Sequence, residues 1–577
     1  MSVPVHSEEP EVDIEADLPL EGNFVEQAEY IPENIFTALS ADHPDEETII
    51  RRLSAGGAKL LVGPRGCGKT TLMLKTYYGL LRKASQNFGV YVNFKLSLKL
   101  EPLYVNTPNA TYWFRLWLNL KIYEGVHSAL ELAQRFSLPK TLPSRQVIES
   151  LLASIEAGKV EQARDLEQYT MDGLSRSIGA VLEENGLSRC VLLLDDAAHA
   201  FSSSQQEDFF EFFRQIKSRE ISPKAAIYPG ITTHSPTFHV GHDAEQIDVW
   251  IRPDQSGYVD FMRSLATKRF NGNLPSSLAN TPLAVDFLAF AAFGNPRSFL
   301  NMLRTIYHDE MKITTASAAV DRRKLLDISK QTRELSHNVY DSLTAKVPAY
   351  REFIETGRDF YQGILARIKD FNRGKEDDEQ ALEVALKKPI TGEIAKILSF
   401  FQYAGLLLPA GENSRGVKGS FELYFVHFGD LITDNAIIGR RTKSIPAFVK
   451  AFSAQTHQAW PRVTPESLIR KPKEVSFRLV LPHCQVCGAE RASEHAKFCH
   501  SCGSQLKATS LYDSLTNQDI SVLPLSRKMV SRIKAHSNIR TIKDILIDSD
   551  RLKLRGIPQI GPARARRIAT YAEEYVA

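Results

Sequence analysis

Short, dense apolar runs alternate with longer amphipathic stretches through the first half of the chain. "KLLV" at 59–62, "VLLLDD" at 191–196 and "AAIYPG" at 225–230 show no regular polar alternation. Runs of this length and density predict buried parallel strands, because such strands are covered on both faces. The stretches between them are long enough for helices. The pattern therefore predicts an α/β fold built around a parallel sheet.

Length and composition limit the class of protein. At 577 residues the chain is too long for one hydrophobic core, so about three to five domains are expected. The apolar fraction of 43% is ordinary for a globular protein. The sequence contains no run of about 18 apolar residues, so no membrane span is expected. The first residues show neither a basic start nor an apolar stretch, so no secretory signal is expected. We therefore expect a cytoplasmic, reducing location, where paired cysteines bind metal.

The net charge of +3 conceals a strong asymmetry along the chain. Residues 1–49 contain 14 Asp and Glu and no Lys or Arg, so the rest of the chain carries +17. Residues 521–577 contain 12 Lys and Arg against 5 Asp and Glu, a net charge of +7. The acidic segment fits either a solvated, partly disordered tail or an internal mimic of nucleic acid that screens a basic groove. The basic C-terminus predicts a polyanionic partner.

The segment "LLVGPRGCGKTTLML" predicts an ATP-binding site. It fits G-x-x-x-x-G-K-[ST] in full, after an apolar strand and before a helix, and the alternative is a glycine-rich turn without nucleotide. The glycines let the backbone wrap around phosphates, Lys69 brings a positive charge to the β- and γ-phosphates, and Thr70 offers a hydroxyl to Mg²⁺. The residues expected to bind the nucleotide are Gly63, Pro64, Arg65, Gly66, Cys67, Gly68, Lys69, Thr70 and Thr71.

Three later segments supply polar groups for the same site. Asp195 and Asp196 end an apolar strand, which is where ligands bind in open α/β sheets. We expect Asp195 to hold Mg²⁺ and Asp196 to orient the attacking water, and the shorter Asp in place of the usual Glu leaves the hydrolysis rate open. Thr232 and Thr233 follow the next strand and are expected to face the γ-phosphate. Arg297 follows the turn "GNPR" and is either a phosphate ligand or an exposed helix cation.

Four of these segments together resemble the AAA+ ATPases, and within them the ORC/Cdc6-like group. They are "GPRGCGKTT", "LLLDDA", "IYPGITT" and "GNPRSFLNML", in the order typical of that group, over about residues 35–310. The resemblance implies a five-stranded parallel sheet, a helical lid, sensor 1 at Thr232 or Thr233 and sensor 2 at Arg297. It implies Mg-dependent ATP hydrolysis as the activity.

Two features depart from the ORC/Cdc6-like pattern. The family usually places a trans-acting arginine finger between sensor 1 and the last strand, but "HSPTFHVGHDAE" contains no arginine. Arg214, Arg219 or Arg252 would have to replace it, or the site does not hydrolyse across subunits. The paired Asp195 and Asp196 are similar to the STAND signalling ATPases, which use nucleotide as a slow switch.

Residues 340–440 look like the winged helix that ORC/Cdc6-like proteins carry after the lid. The helical pattern over 391–404 is followed by two strands joined by a Gly- and Asn-rich turn. Lys396 is the single cation of that mostly apolar helix, whereas helices that read a DNA groove present more basic and amide side chains. Either the wing, with Arg415 and Lys418, contacts duplex DNA, or the domain packs against protein.

A cysteine cluster near the C-terminus predicts a structural zinc ribbon. The spacing is C-x2-C, eleven residues, C-x2-C, which satisfies a tetrahedral Zn²⁺ and leaves no ligand position for water. The ligands expected are Cys484, Cys487, Cys499 and Cys502. His483, His495 and His500 are close enough to replace a cysteine, and Cys67 and Cys190 are expected to be buried thiols.

The last segment, "LRGIPQIGPARARRIATYAEEYV", is similar to a helix-hairpin-helix domain, including the tail domain of the bacterial RNA polymerase α subunit. The resemblance implies that Gly561 and Ala563 bring backbone N–H groups to a DNA phosphate, with Arg564, Arg566 and Arg567 adding charge. Such contacts bind the backbone rather than the bases, so the binding is expected to be largely independent of sequence and steep in salt. The alternative is a small helical bundle that docks protein.

These observations divide the chain and give two functional hypotheses. The expected divisions are an acidic, partly disordered segment at 1–34, the AAA+ core at 35–255, the lid at 256–335, the winged helix at 340–440, a linker at 441–480, the zinc ribbon at 481–508 and the helix-hairpin-helix domain at 515–577. The first hypothesis is a DNA-binding ATPase that couples nucleotide binding and hydrolysis to assembly on nucleic acid, with self-association or a partner protein and no membrane. The alternative is a STAND-like switch of a bacterial antiphage defence system that senses nucleic acid or protein.

Overall fold

The computed structural model describes the residues 21–82, 85–95, 100–101, 109–134, 136–158, 166–197, 202–312, 319–414, 416, 419–437, 444–453, 459–491, 496, 498–506 and 511–576. The strands are β1 Lys59–Val62, β2 Asn87–Asn93, β3 Arg189–Asp195, β4 Ile221–Ile227, β5 Glu245–Asp248, β6 Glu383–Lys387, β7 Leu407–Ser414, β8 Ser420–Val426 and β9 Arg462–Val463. The α-helices are α1 Glu33–Leu39, α2 Glu46–Ser54, α3 Lys69–Leu80, α4 Ala110–Ala133, α5 Arg145–Glu156, α6 Met171–Glu184, α7 Ser203–Ile216, α8 Tyr258–Arg269, α9 Ser276–Ala279, α10 Ala284–Ala291, α11 Pro296–Lys312, α12 Arg322–Lys346, α13 Arg351–Asn372, α14 Gly392–Ala404, α15 Phe428–Thr433, α16 Ile445–Ser453, α17 Lys473–Ser476, α18 Leu511–Thr516, α19 Arg527–His536, α20 Ile542–Leu546, α21 Leu552–Arg555 and α22 Pro562–Val576.

The first sheet has five parallel strands in the order β2-β3-β4-β1-β5. The run Cys190–Leu194 of β3 is fully buried, as expected for a strand with both faces covered. Because all five strands run the same way, their carboxyl ends lie at one edge of the sheet. The loop after β1, the acidic end of β3 and the turn after β4 therefore meet there. The predicted fold class, a P-loop α/β core with additional smaller domains, is confirmed.

The N-terminal segment packs on the core from residue 21 onward, within the range 1–34 for which partial disorder was expected. Phe24 stacks on Tyr307 with ring centroids 5.8 Å apart, and it meets the edge of Phe270 at 5.2 Å. Glu26 forms an ion pair of 2.9 Å with Arg304. Residues 1–20 lie outside the described residues.

The second sheet belongs to the winged-helix region and has the strand order β7-β8-β6-β9. β9 comes from the segment 441–480 that was expected to be a linker, and it pairs with β6 in parallel. α12 runs without interruption across the boundary expected near residues 335–340. The lid and the winged helix are therefore joined by one continuous helix. Arg415 and Lys418 lie outside the described residues.

The helix α14, which would read DNA in a winged helix, packs on the ATPase core instead. Lys396 donates a hydrogen bond of 2.7 Å from its Nζ to the carbonyl oxygen of Gly230, in the turn after β4. The rings of Tyr403 and Tyr228 lie edge to face, 6.1 Å apart. This placement matches the protein-packing alternative for the helix. Among the described residues, no helix is both long and apolar enough to cross a membrane.

Candidate functional site

The loop between β1 and α3 has the shape of a phosphate cradle. Gly66 and Gly68 adopt left-handed φ angles of 87° and 99°. A Cβ on Gly66 would lie 2.6 Å from the Asn295 Oδ1 atom, so the position also needs glycine for close approach. The Asn295 side chain donates a hydrogen bond of 2.9 Å to the carbonyl oxygen of Arg65. The lid turn therefore lies directly on the loop.

Lys69 is buried at the start of α3 and points into the same loop. Its Nζ donates hydrogen bonds to the carbonyl oxygens of Gly63, at 2.7 Å, and Pro64, at 2.9 Å. The Nζ also lies 3.7 Å from the ring centroid of Tyr228. Burial lowers the pKa of Lys69, while nearby groups that include Asp195 oppose the shift. These are weak carbonyl and aromatic partners for a buried cation, and a phosphate would supply the charge that they lack.

Thr70 and Asp195 form the pair expected to hold Mg²⁺. The Thr70 side chain is hydrogen-bonded to the Asp195 carboxylate, which also accepts a hydrogen bond of 2.9 Å from the hydroxyl of Tyr91. Burial raises the pKa of Asp195, and the neighbouring Asp196 raises it further. A divalent cation relieves both effects, because it neutralises the two carboxylates. The oxygen donors Thr70 and Asp195 are of the kind that Mg²⁺ prefers.

Asp196 is held by a residue that the sequence analysis did not single out. The Tyr228 hydroxyl donates a hydrogen bond of 2.8 Å to Asp196 Oδ1, and Asp196 has a left-handed φ of 53°. Burial and the two carboxylates raise the pKa of Tyr228, so its hydroxyl stays protonated and donates. Tyr228 directly follows β4, at the carboxyl end of the sheet beside the end of β3.

Thr232 and Thr233, which the sequence predicts to face the γ-phosphate, lie in the turn after β4. Thr232 accepts a hydrogen bond of 3.1 Å from the Tyr228 amide and donates one of 2.8 Å to the Tyr228 carbonyl. The amide of Thr233 donates to the Gln206 side chain. These three hydrogen bonds fix the turn after β4. The sequence signal that could have identified Tyr228 is its position directly after an apolar run.

Arg297 begins α11 beside the loop. Its amide donates a hydrogen bond of 3.4 Å to the Gly66 carbonyl, and its guanidinium enters the cavity of the P-loop. Among the described residues, the buried Nε of Arg297 has no hydrogen-bond partner. A phosphate oxygen could accept a hydrogen bond from this Nε–H group, since buried donors are usually paired.

The other loop residues predicted to bind nucleotide also border the cavity. They are Arg65, Cys67, Gly68 and Thr71, whereas Gly63 and Pro64 meet Lys69 through their carbonyl oxygens. Cys67 and Cys190 are buried thiols. The lining also includes the apolar residues Ile31, Phe36, Phe261, Leu265 and Leu300 beside acidic and basic side chains.

The three arginines considered as substitutes for an arginine finger lie on the protein surface. Arg214 pairs with Glu211 at 2.9 Å. Arg252 pairs with Asp254, with its Nε 2.9 Å from a carboxylate oxygen. Arg219 is exposed after the end of α7. Arg214 and Arg252 therefore already have a carboxylate on the same chain.

The C-terminal helix α22 ends at the nucleotide site, which the sequence analysis did not anticipate. Glu574 Oε1 lies 2.8 Å from Arg297 Nη1 and accepts a hydrogen bond of 3.0 Å from Gln27. The Glu574 carbonyl accepts one of 2.8 Å from Arg65. A signal was present: Glu573 and Glu574 stand in the last turn of a helix, where the helix dipole disfavours negative charge and external cations must offset it.

The four predicted zinc ligands come together. Their sulfur atoms all lie within 4.8 Å of one another, with Cys484 and Cys502 3.7 Å apart and Cys487 and Cys499 3.6 Å apart. Tetrahedral zinc with Zn–S bonds of about 2.3 Å needs sulfur atoms about 3.8 Å apart, so the geometry fits Zn²⁺. His483 and His500 are not in the cluster, and His495 lies outside the described residues.

The hairpin residues predicted to bind DNA lie at the start of α22, at the end opposite to Glu574. Gly561 precedes the helix, and its carbonyl accepts a hydrogen bond of 2.9 Å from the Ala565 amide. Arg564 donates one of 2.7 Å to the Gln559 carbonyl. Arg566 is exposed. Arg567 and Ala563 are half-buried.

Comparison with known proteins gives matches only among solved structures. No protein-family profile matches the chain. No curated protein matches it either. The alignment with the ORC1 protein of Aeropyrum pernix in complex with DNA covers 69% of this chain and 93% of that one, at 15% identity and a TM-score of 0.28. The alignment with Cdc6p of Pyrobaculum aerophilum covers 74% of this chain and 98% of that one, at 14% identity and a TM-score of 0.30. The alignment with the ORC2 protein of Aeropyrum pernix, in ADPNP and ADP complexes, covers 75% of this chain and 98% of that one, at 11% identity and a TM-score of 0.30.

These structures come from the group that the sequence motifs resemble. Because the superpositions are loose, the fold is assigned from this chain itself, on its strand order and its P-loop after β1. That fold is an α/β core with five parallel strands and a P-loop between β1 and α3, and membership of the ORC/Cdc6-like group stays a prediction from the sequence motifs.

Proposed function

We propose that the protein is an ATP-dependent DNA-binding ATPase that couples nucleotide binding and hydrolysis to its assembly on nucleic acid. The observation that carries the proposal is the convergence of Lys69, the pair Thr70 and Asp195, and the bonded pair Asp196 and Tyr228 at one edge of the sheet. These groups serve in-line attack of water on a γ-phosphate.

Each group has a distinct part in that reaction. Lys69 and Arg297 stabilise the negative charge that develops on the phosphate oxygens. Asp196 accepts a hydrogen bond from the attacking water and orders it, and Tyr228 fixes the carboxylate by its own hydrogen bond. Thr70 and Asp195 would hold Mg²⁺, which neutralises phosphate charge when bound.

The carboxyl-terminal region supports nucleic acid as the partner. Its net charge of +7 and the exposed Arg566 near the hairpin favour contacts with phosphates. The four-cysteine cluster is proposed to bind one structural Zn²⁺, since a segment of this length has too small a core to fold alone.

Replacement of Lys69 tests the nucleotide site. Lys69→Ala is expected to abolish ATP binding, measured with labelled ATP by equilibrium dialysis. Lys330→Ala, which removes an exposed lysine of α12, serves as the control and should bind as the wild type does. A folded Lys69→Ala protein with unchanged ATP affinity refutes the site. ATP turnover is then measured with and without single- and double-stranded DNA, and stimulation by DNA is expected.

The second candidate is a switch that keeps its nucleotide. It is favoured by the short Asp196 side chain and by the lack of arginine in residues 234–245. A switch retains nucleotide through purification and is not stimulated by DNA. Denaturing the purified protein and identifying the released nucleotide by chromatography separates the two functions.

A further inference from the structure

The last turn of α22 presents anionic groups to the cations of the nucleotide site. Glu574 meets Arg297 through its carboxylate and Arg65 through its carbonyl, at 2.8 Å in each case. The adjacent Glu573 lies 3.0 Å from the Nζ of Lys95, after β2. The end of a helix that begins with three arginines is thus attached to the core by its two carboxylates.

Glu574 is kept ionised by the cations that it contacts in the docked position. Burial raises the pKa of the carboxyl, but Arg297 and Arg65 outweigh burial and lower the pKa to about 2. The group is therefore an anion at neutral pH. A buried anion needs a cation at close range, because a buried charge without a partner destabilises the folded state. Glu574 thus gives Arg297 the kind of partner that a phosphate would give it.

The docked helix also leaves little room. The cavity bordered by the P-loop, Arg297 and Glu574 has a volume of about 120 Å³. Pockets for small ligands usually measure at least about 300 Å³. A triphosphate could enter only if groups that line the cavity moved. Glu574 is the one anion in direct contact with Arg297 among the described contacts, so it is the group that a γ-phosphate repels.

We propose that Glu574 is an internal occupant of the γ-phosphate recognition site, so that ATP displaces the last turn of α22 and ADP does not. The proposal rests on the proposed function, because it takes Arg297 as the phosphate ligand. Under this proposal, the helix-hairpin-helix domain is attached to the core when the γ-phosphate is absent and detached when it is bound. If a nucleic acid binds only the detached domain, ATP raises the affinity for that nucleic acid. By linkage, the nucleic acid then raises the affinity for ATP by the same factor.

Hydrogen exchange of the full-length protein tests the displacement. Amide exchange in residues 571–576 is measured by mass spectrometry without nucleotide, with saturating ADP and with a non-hydrolysable ATP analogue, each with Mg²⁺. We expect exchange at least about tenfold faster with the analogue than with ADP. Equal or slower exchange with the analogue, when dialysis shows that it is bound, overturns the proposal. If neither nucleotide binds, the proposed function itself fails.

A matched pair of variants tests the role of the carboxylate. Glu574→Gln keeps the shape and the hydrogen bond from Gln27 but removes the charge at Arg297. We expect it to raise the affinity for the ATP analogue about tenfold relative to ADP, which corresponds to loss of one charged contact. Glu184→Gln, which removes an exposed carboxylate at the end of α6 and far along the chain from α22, should leave the ratio of the two affinities unchanged. An unchanged ratio in Glu574→Gln, or an equal rise in both variants, contradicts the proposal.

Discussion

Tyr228 donates a hydrogen bond of 2.8 Å from its hydroxyl to Asp196 Oδ1, and this joins the ends of two neighbouring strands of the central sheet. The bond orients the carboxylate of Asp196, which is one methylene shorter than the Glu expected from the sequence resemblance. Asp196 lies in a left-handed backbone conformation that few non-glycine residues adopt. The hydrogen bond from Tyr228 is therefore a second constraint on the carboxylate that we propose to order the attacking water.

Removal of that hydroxyl is expected to slow hydrolysis without loss of nucleotide. Tyr228→Phe should lower kcat about tenfold to a hundredfold, which corresponds to one hydrogen bond to a charged group. The Kd for ATP should change little, because the ring beside Lys69 remains. Tyr424→Phe, which removes a hydroxyl from the winged-helix sheet, is the control. Unchanged turnover in Tyr228→Phe would exclude a role for the hydroxyl in catalysis.

Zinc content follows from the cysteine cluster. We expect one zinc per chain by elemental analysis, and Cys484→Ser should lose it because three thiolates do not complete a tetrahedral structural site. His500→Ala should keep the full amount, since His500 is outside the cluster of sulfur atoms. Loss of zinc from the histidine variant instead would show that the cluster uses a ligand other than its four cysteines.

Binding of DNA should depend on salt and on the exposed arginine near the hairpin. A plot of log K against log salt concentration is expected to be linear, and Arg566→Ala should reduce its slope by about 1 because one phosphate contact is lost. Arg323→Ala removes an exposed cation at the start of α12 and should leave the slope unchanged. Fluorescence anisotropy with duplexes of unrelated sequence measures both. Affinity that is independent of salt would argue for a protein-docking bundle.

The winged helix should lose stability in mild acid because of His427. Its ring is buried with Nδ1 3.6 Å from Asp430, which is also bonded to Arg333 and His337. Burial lowers the pKa of His427 from 6.5 to about 4. Between these values the unfolded state binds more protons, so stability is full above about pH 6.5 and is lost as the pH falls toward 4.

The size of that loss can be measured against a variant without the imidazole. From pH 7.5 to pH 5 the wild type should lose about 2 kcal/mol more than His427→Asn. Urea-dependent hydrogen exchange of peptides from β6 and β8 reports the stability of this domain at each pH. The same pH dependence in both proteins would assign the effect to another group.

The sequence by itself determined the elements whose signals are local. The P-loop follows from glycines and a lysine at fixed spacing, and β3 follows from an unbroken apolar run that ends in Asp195. The cluster of four cysteines follows from two closely spaced cysteine pairs. In each case neighbouring residues define the geometry, so the arrangement of a short segment is enough to predict the side chains that converge.

The tertiary structure alone decided which distant groups meet. Tyr228 meets Asp196 because β4 ends just before it, and where β4 ends is set by its pairing with β1 and β3. The role of Thr232 or Thr233 at the γ-phosphate stays a prediction. The contact between Arg297 and Glu574 joins residues 277 positions apart. Acidic residues in the last turn of α22 indicate that a cation would stabilise them, but periodicity and composition do not say which cation it is. The contact forms because the domains pack so that a helix end rich in carboxylates lies against buried guanidinium groups, where each charge offsets the cost of burying the other.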